Sequence, residues 1–228
     1  LLSAAGMIYG MVLGQQAQVH VHAARVSKGG DVRVEDRRVT ELKLGVRYLL
    51  EGDQVRQRVL LTGEGALPWD LLIGKALMPE EDCPWRLLLI GGGASTLPRM
   101  LREERGASTI EVLERTGAVV ELGRDYFNTE LRSGSTEREI VRIGNLEDLL
   151  ADVQGPFDLV IVDTSALVPL GGTSALSKLA HAKLLSVLDT SGVIAWGPIA
   201  PDPGTIGALG GRHQVTLTRS CDSEEEVV

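Results

Sequence analysis

Leu87-Leu88-Leu89-Ile90-Gly91-Gly92-Gly93 is the stretch that decides the fold. The unbroken apolar run reads as a strand buried on both faces, and the glycines read as a tight turn into a helix. Glycine there lets the backbone come close to a ligand, and the helix start offers N–H groups with no partner inside the helix. As a G-x-G-x-x-G dinucleotide fingerprint the stretch fails at the third glycine, where Thr96 stands, so NAD is not the ligand expected. A glycine triplet alone is equally compatible with a turn that binds nothing. Glu114 shifts the balance, because it ends the next strand about 20 residues on, where an acid can accept hydrogen bonds from both hydroxyls of a ribose. Taken alone it would more often cap a helix, but the two features together favour a nucleoside.

Downstream, the hydrophobic pattern alternates strand and helix, which predicts a parallel sheet with crossover helices. The strands expected are Arg86–Ile90, Thr109–Leu113, Glu139–Ile143, Leu159–Val162 and Val193–Trp196, with His213–Thr218 as a sixth, antiparallel one. The helices between them are Leu97–Glu104, Ala118–Phe127, Leu146–Val153 and Ala175–Val187. Upstream, Gln18–Ala24 and Asp31–Glu35 flank Ser27-Lys28-Gly29-Gly30, and Gly45–Glu51 and Val55–Leu61 flank Gly52-Asp53-Gln54. Each set predicts a hairpin. A helix over Leu67–Met78 and a polar stretch, Pro79 to Asp82, lead into the α/β part. The division expected is residues 1–64, a first helix and a small antiparallel β unit, and 65–228, the nucleoside-binding domain.

Composition narrows the partners. The chain has 228 residues, a net charge of −8 and a pI near 5.1. That acidity excludes a non-specific nucleic-acid binder, which needs a basic stripe to neutralise phosphates. Cys83 and Cys221 have no metal or disulfide spacing. His20 and His22 fall on one face of a strand without a third ligand, so packing is expected there and no metal site. The apolar run Leu1–Leu13 lacks a basic flank and is shorter than a membrane span, and reads as a buried or partner-packed helix. A cytoplasmic protein without membrane contact is expected. An exposed edge in the β unit is compatible with a homodimer.

Asp163 closes the strand Leu159-Val160-Ile161-Val162 at the carboxyl edge of the sheet, where open α/β folds bind ligands. It is the candidate catalytic residue, able to orient or deprotonate a nucleophile. Its structural alternative is to anchor the loop Thr164–Gly172 through backbone amides. Trp69, Trp85 and Trp196 read as core or junction residues, and His181 as structural.

The run LLLIGGGAST…TIEVLERTGAVVELGRDYFN…IVRIGNLEDLL…FDLVIVDTSALVPLGG…LLSVLDTSGVIAWG resembles the spermidine synthase family of Rossmann-like adenosyl-dependent enzymes. It extends from Trp85 to Gly197, and the preceding hairpins suit that family's small β-domain. The resemblance implies a doubly wound, mostly parallel α/β sheet of the class I methyltransferase type. It further implies S-adenosylmethionine or its decarboxylated form as cofactor. Gly91, Gly92 and Gly93 would lie at its amino-acid or aminopropyl end, Glu114 at the ribose and Asn145 by the adenine, with Arg115, Leu146, Asp163 and Thr164 also among the cofactor-binding residues.

Three departures bear on the reaction. Ala94, Ser95 and Thr96 follow the triplet where the family has Asp-Gly-Gly, Asn145 stands for an aspartate, and Ala166 replaces the second acid of Asp-Ser-Ser-Asp. A diamine would lose counter-charges, and a buried ammonium without one is costly. The expected function is therefore methyl transfer from S-adenosylmethionine to a small-molecule or protein acceptor. Aminopropyl transfer is the first alternative, and a non-catalytic assembly module keeping the fold is the second.

Overall fold

The computed structural model describes residues 19–27, 30–39, 44–61, 85–95, 98, 109–127, 134–135, 139–167, 178–197 and 214–216. The helices expected over Leu1–Leu13 and Leu67–Met78, nearly all of Leu97–Glu104, Trp69, and most of the loop after Asp163 lie outside them.

Four strands make an antiparallel sheet in simple order: β1 (Val19–Ser27), β2 (Gly30–Val39), β3 (Leu44–Glu51) and β4 (Gln54–Leu60). Both predicted hairpins are present, and Gly30 and Gly52 take the positive φ that their turns require. The second hairpin is irregular. Its register passes from Leu49↔Gln57 to Leu50↔Val55, so Arg56 is the extra residue of a bulge. Bulges re-aim side chains, and here Arg56 and Gln57 are both buried while Val55 is exposed.

The second sheet contains β5 (Arg86–Ile90), β6 (Thr109–Glu114), β7 (Gly134–Ser135), β8 (Glu139–Ile143), β9 (Phe157–Asp163), β10 (Leu188–Gly197) and β11 (Gln214–Thr216), in the order β11-β10-β9-β5-β6-β8-β7. Its described helices are α1 (Gly117–Phe127), α2 (Leu146–Ala151) and α3 (Lys178–Val187). All five expected parallel strands pair as predicted. The last strand does not: β11 runs parallel to β10, through Ile194↔Gln214 to Trp196↔Thr216. The connection, residues 198–213, exceeds the dozen or so residues that a parallel crossover needs, whereas a short return would have forced the antiparallel pairing. The short antiparallel β7 at the other edge carries too little sequence to be foreseen.

Because β5 is apolar at every position from Leu87 to Ile90, it serves both faces of the sheet. Leu88 and Ile90 pack with Leu146, Leu150, Leu184 and Trp196, and Leu87 and Leu89 pack with Val112, Val120 and Ile161 on the other side. Each of these fully buried aliphatic side chains contributes about 1.5–3 kcal/mol. A third cluster joins the small sheet to α1 through Val32, Val34 and Leu49 against Val119, Leu122 and Phe127. That contact brings β4 over the carboxyl ends of β5 and β6.

Candidate active site at the carboxyl edge

Gly91 leaves β5 at φ +80°, a left-handed conformation that L side chains rarely adopt. A Cβ there would collide with the Ala166 methyl group and come within 3.2 Å of the Asp163 carbonyl oxygen. Gly93 is constrained differently, since its Cβ would lie 2.6 Å from Glu114 Cγ. The glycines thus bring the turn against β6 and β9 at once, and the Gly91 amide donates to the Leu113 carbonyl at 2.7 Å.

Glu114 is fully buried at the end of β6. Its Oε1 accepts from the amides of Arg115 and Thr116 at 2.7 and 3.1 Å, and its Oε2 accepts from the Gly93 amide at 3.1 Å. The fourth acceptor direction is taken by Arg56 Nη2 at 2.8 Å. Glu114 thus ties the backbone amides of Gly93, Arg115 and Thr116 together beside the glycine turn.

Asp163 ends β9. Its Oδ1 accepts from the Ser165 amide at 2.9 Å and from the Ser165 hydroxyl, starting a short 3-10 turn, Thr164–Ala166. Oδ2 lies 3.8 Å from Arg56 Nε. Burial pushes this carboxyl up to about 7, against the pull of Arg56 and the Ser165 hydrogen bonds. Oδ1 thus anchors the start of the loop at Ser165, while Oδ2 faces Arg56. Asn145 sits on the same edge as the N-cap of α2, its side-chain oxygen accepting from the Glu147 and Asp148 amides at 2.9 and 3.2 Å. The cap engages the oxygen and leaves the amide nitrogen for a partner. Leu146 is buried under it, Thr164 is buried after Asp163, and Arg115 projects its guanidinium to Glu51.

The sequence reading missed Glu51 and Arg56. Arg56 is almost wholly enclosed, donating Nη1 to Glu51 and Nη2 to Glu114 and to the Gly91 carbonyl oxygen at 2.8 Å. Burial disfavours its charge, but the Glu114, Asp163 and Glu51 carboxylates together hold its pKa above the usual arginine value. Glu51 also accepts from the Thr116 hydroxyl at 2.9 Å. Two guanidiniums and three carboxyl groups thus meet between the sheets. The bulge that turns Arg56 inward leaves no mark in the sequence, and the neighbouring apolar Val55 is exposed.

Elsewhere, His20 and His22 stack edge to face at 4.6 Å, and His22 Nε2 lies 2.6 Å from Asp36 across the strands. Trp196 is a core residue, with His181 buried beside it. Among the described residues no helix is long and apolar enough to cross a membrane.

The fixed parts of this edge fit an adenosyl group: a glycine backbone, an acid on the adjacent strand end, an amide at Asn145 and a carboxyl at Asp163. A cavity of about 20 Å³ lies beside them, lined by Arg56, Gln57, Leu89, Ile90, Gly92, Ser95, Ile161 and Asp163. Arg56 borders that cavity and holds Glu114 Oε2 through Nη2.

No family model matches this sequence, and neither does any curated protein. Solved structures do match. A spermidine synthase in complex with the transition-state analogue AdoDATO aligns with a TM-score of 0.60 at 17% identity, over 84% of this chain and 64% of that one. The spermidine synthase of Thermotoga maritima aligns at 0.54 and 18% over 83% and 60%, and a probable spermidine synthase from Corynebacterium glutamicum at 0.55 and 15% over 77% and 62%. The chain thus spans less than two thirds of the length of these structures. At such identities the likeness establishes architecture, and the chain has the Rossmann-like fold of the spermidine synthases, preceded by an antiparallel β unit.

Proposed function

We propose that this protein is an S-adenosyl-dependent transferase working at the carboxyl edge of the seven-stranded sheet, and that it transfers methyl in preference to aminopropyl groups. The observation that carries the reading is Glu114, a buried carboxylate fixed by the amides of Gly93, Arg115 and Thr116 at the end of β6, directly against the glycine turn. The AdoDATO complex of a spermidine synthase with the same fold supports an adenosyl ligand here as well.

In this reading Gly91, Gly92 and Gly93 face the amino-acid end, Glu114 and Arg115 the ribose, and Asn145 and Leu146 the base. The bound cofactor supplies a methyl group activated by its sulfonium. The chain's part is to orient and to exclude water, which suffices for an in-line displacement. Ser165 fixes Asp163 through Oδ1, leaving Oδ2 to take a proton from the acceptor's nucleophile. A carboxyl that titrates at about 7 is suited to that task near neutral pH. Methyl transfer is preferred because Ala94 and Ala166, both buried, stand where the resemblance places acids, so a diamine would lack its counter-charges.

One observation favours a non-catalytic assembly module instead: Arg56 fills the place that a ligand would need. Exposed Val19, Val21 and Val26 on edge strand β1 would then serve a protein partner, including a second copy.

Calorimetry with S-adenosylmethionine, its decarboxylated form and S-adenosylhomocysteine separates these readings. Binding of the first and third supports methyl transfer, and preference for the second supports aminopropyl transfer. Binding of none leaves the assembly module.

A further inference from the structure

Arg56 is buried at a bulge, and its guanidinium edge is only partly used. Nη1 is held by Glu51, and Nη2 is shared between the Gly91 carbonyl and Glu114. Nε is buried without a hydrogen-bond partner, 3.8 Å from Asp163 Oδ2, and Arg56 borders the small cavity with Gln57, Gly92 and Ser95. A buried N–H with no acceptor is costly, so this donor calls for an acceptor in that cavity. Nε and Nη2 share one edge of the guanidinium, the edge that grips a carboxylate with two parallel hydrogen bonds. A ligand that took the Oε2 position on Glu114 would release Nη2 to complete that fork.

The surroundings set the sign. Ala94, where the resemblance places an acid, brings only its backbone carbonyl, which accepts from Gln57 Nε2 at 2.9 Å. Glu51 and Glu114 are already paired with Arg56 and Arg115. Among the described residues that border the cavity, Asp163 is the one carboxyl group left to face an incoming ammonium. A group carrying only positive charge would enter beside a desolvated guanidinium, whereas a zwitterion brings its own anion to it.

Resting on the adenosyl reading above, we propose that Arg56 selects the amino-acid end of the ligand. The site takes an adenosyl ligand that carries a carboxylate next to its amine and rejects one that carries the amine alone. The pairing of Nε and Nη2 with that carboxylate is the discriminating contact.

The test is calorimetry with S-adenosylhomocysteine, its decarboxylated analogue, which differs only in the carboxylate, and 5′-methylthioadenosine, which lacks the whole amino-acid end. Wild type is expected to bind the carboxylated ligand at least about tenfold more tightly than either of the others, the scale of one charge-assisted hydrogen bond. Arg56→Gln should bring the three within about twofold of one another, and Arg56→Lys, which keeps the charge but not the fork, should fall between. Equal or tighter binding of the decarboxylated analogue by wild type overturns the proposal while leaving the adenosyl site standing. So does an unchanged ratio in folded Arg56→Gln. Failure of wild type to bind any of the three overturns both. Should Arg56→Gln not fold, the wild-type ratio and Arg56→Lys decide.

Discussion

Replacing Glu114 by Gln keeps the shape of the side chain and removes one charge from the junction of the two sheets. The carboxylate accepts from the Gly93, Arg115 and Thr116 amides and from Arg56 Nη2. A carboxamide has one oxygen, so whichever way it turns, its NH2 faces N–H groups. Arg56 also loses a counter-charge inside a site where its side chain is 1% exposed. Breaking a buried pair from one side costs about 3–5 kcal/mol. Because Glu51 and Asp163 still face the guanidinium, the lower end applies, about 3 kcal/mol. For a chain of this size each kcal/mol lowers the melting temperature by about 2–4 °C, so a drop of about 6–12 °C is expected in a thermal melt at pH 8. The double variant Glu114→Gln/Arg56→Gln should melt above the sum of the single losses by a coupling of about 1–3 kcal/mol, because the uncompensated cation is gone. A drop below about 2 °C in the single variant, or strict additivity in the double one, would refute the claim that these charges are held together in a dry site.

Asp163 predicts a pH signature. Its carboxyl titrates at about 7 in the folded protein because of burial, whereas an unfolded aspartate titrates near ~3.9. Between those values the folded state keeps a proton that the unfolded state has released, so this group's stabilising contribution is full below about pH 4 and is lost as pH rises through about 7. Asp163→Asn removes that slope, and its melting temperature relative to wild type should rise from pH 5 to pH 8; a constant difference would contradict the assignment. The glycines predict a contrast. Gly91→Ala meets both a positive φ and the Ala166 methyl group, while Gly52→Ala, at φ +59°, meets nothing within 4 Å. The first should cost at least about 2 kcal/mol more than the second in urea unfolding, since overpacking adds to the backbone cost. Equal costs would show that the turn is not pressed against β9.

The fold was legible because its signals are local and repeated. Leu87–Ile90 could only be a central strand, the glycines could only be a turn, and the hairpins carried their own turn residues. The direction of β11 was not legible, since it depends on where a sixteen-residue connection places a strand of three residues. At the candidate site, Gly91–Gly93, Glu114, Asn145 and Asp163 could be singled out from sequence because each ends a strand or opens a helix of the α/β unit. Arg56 and Glu51 were missed because they reach the site from the other sheet, and a bulge, not the strand period, turns Arg56 inward. Periodicity reports which face a residue takes within its own strand and carries no information about a second sheet laid across the strand ends.

The central claim is that the edge formed by Gly91–Gly93, Glu114 and Asp163 is an adenosyl site now filled by Arg56. A crystal structure of the protein grown with S-adenosylhomocysteine tests it most directly. The account predicts ligand density with the ribose hydroxyls on Glu114 and the Arg56 guanidinium moved off that carboxylate. Arg56 still bonded to Glu114, with no ligand at this edge, would contradict it.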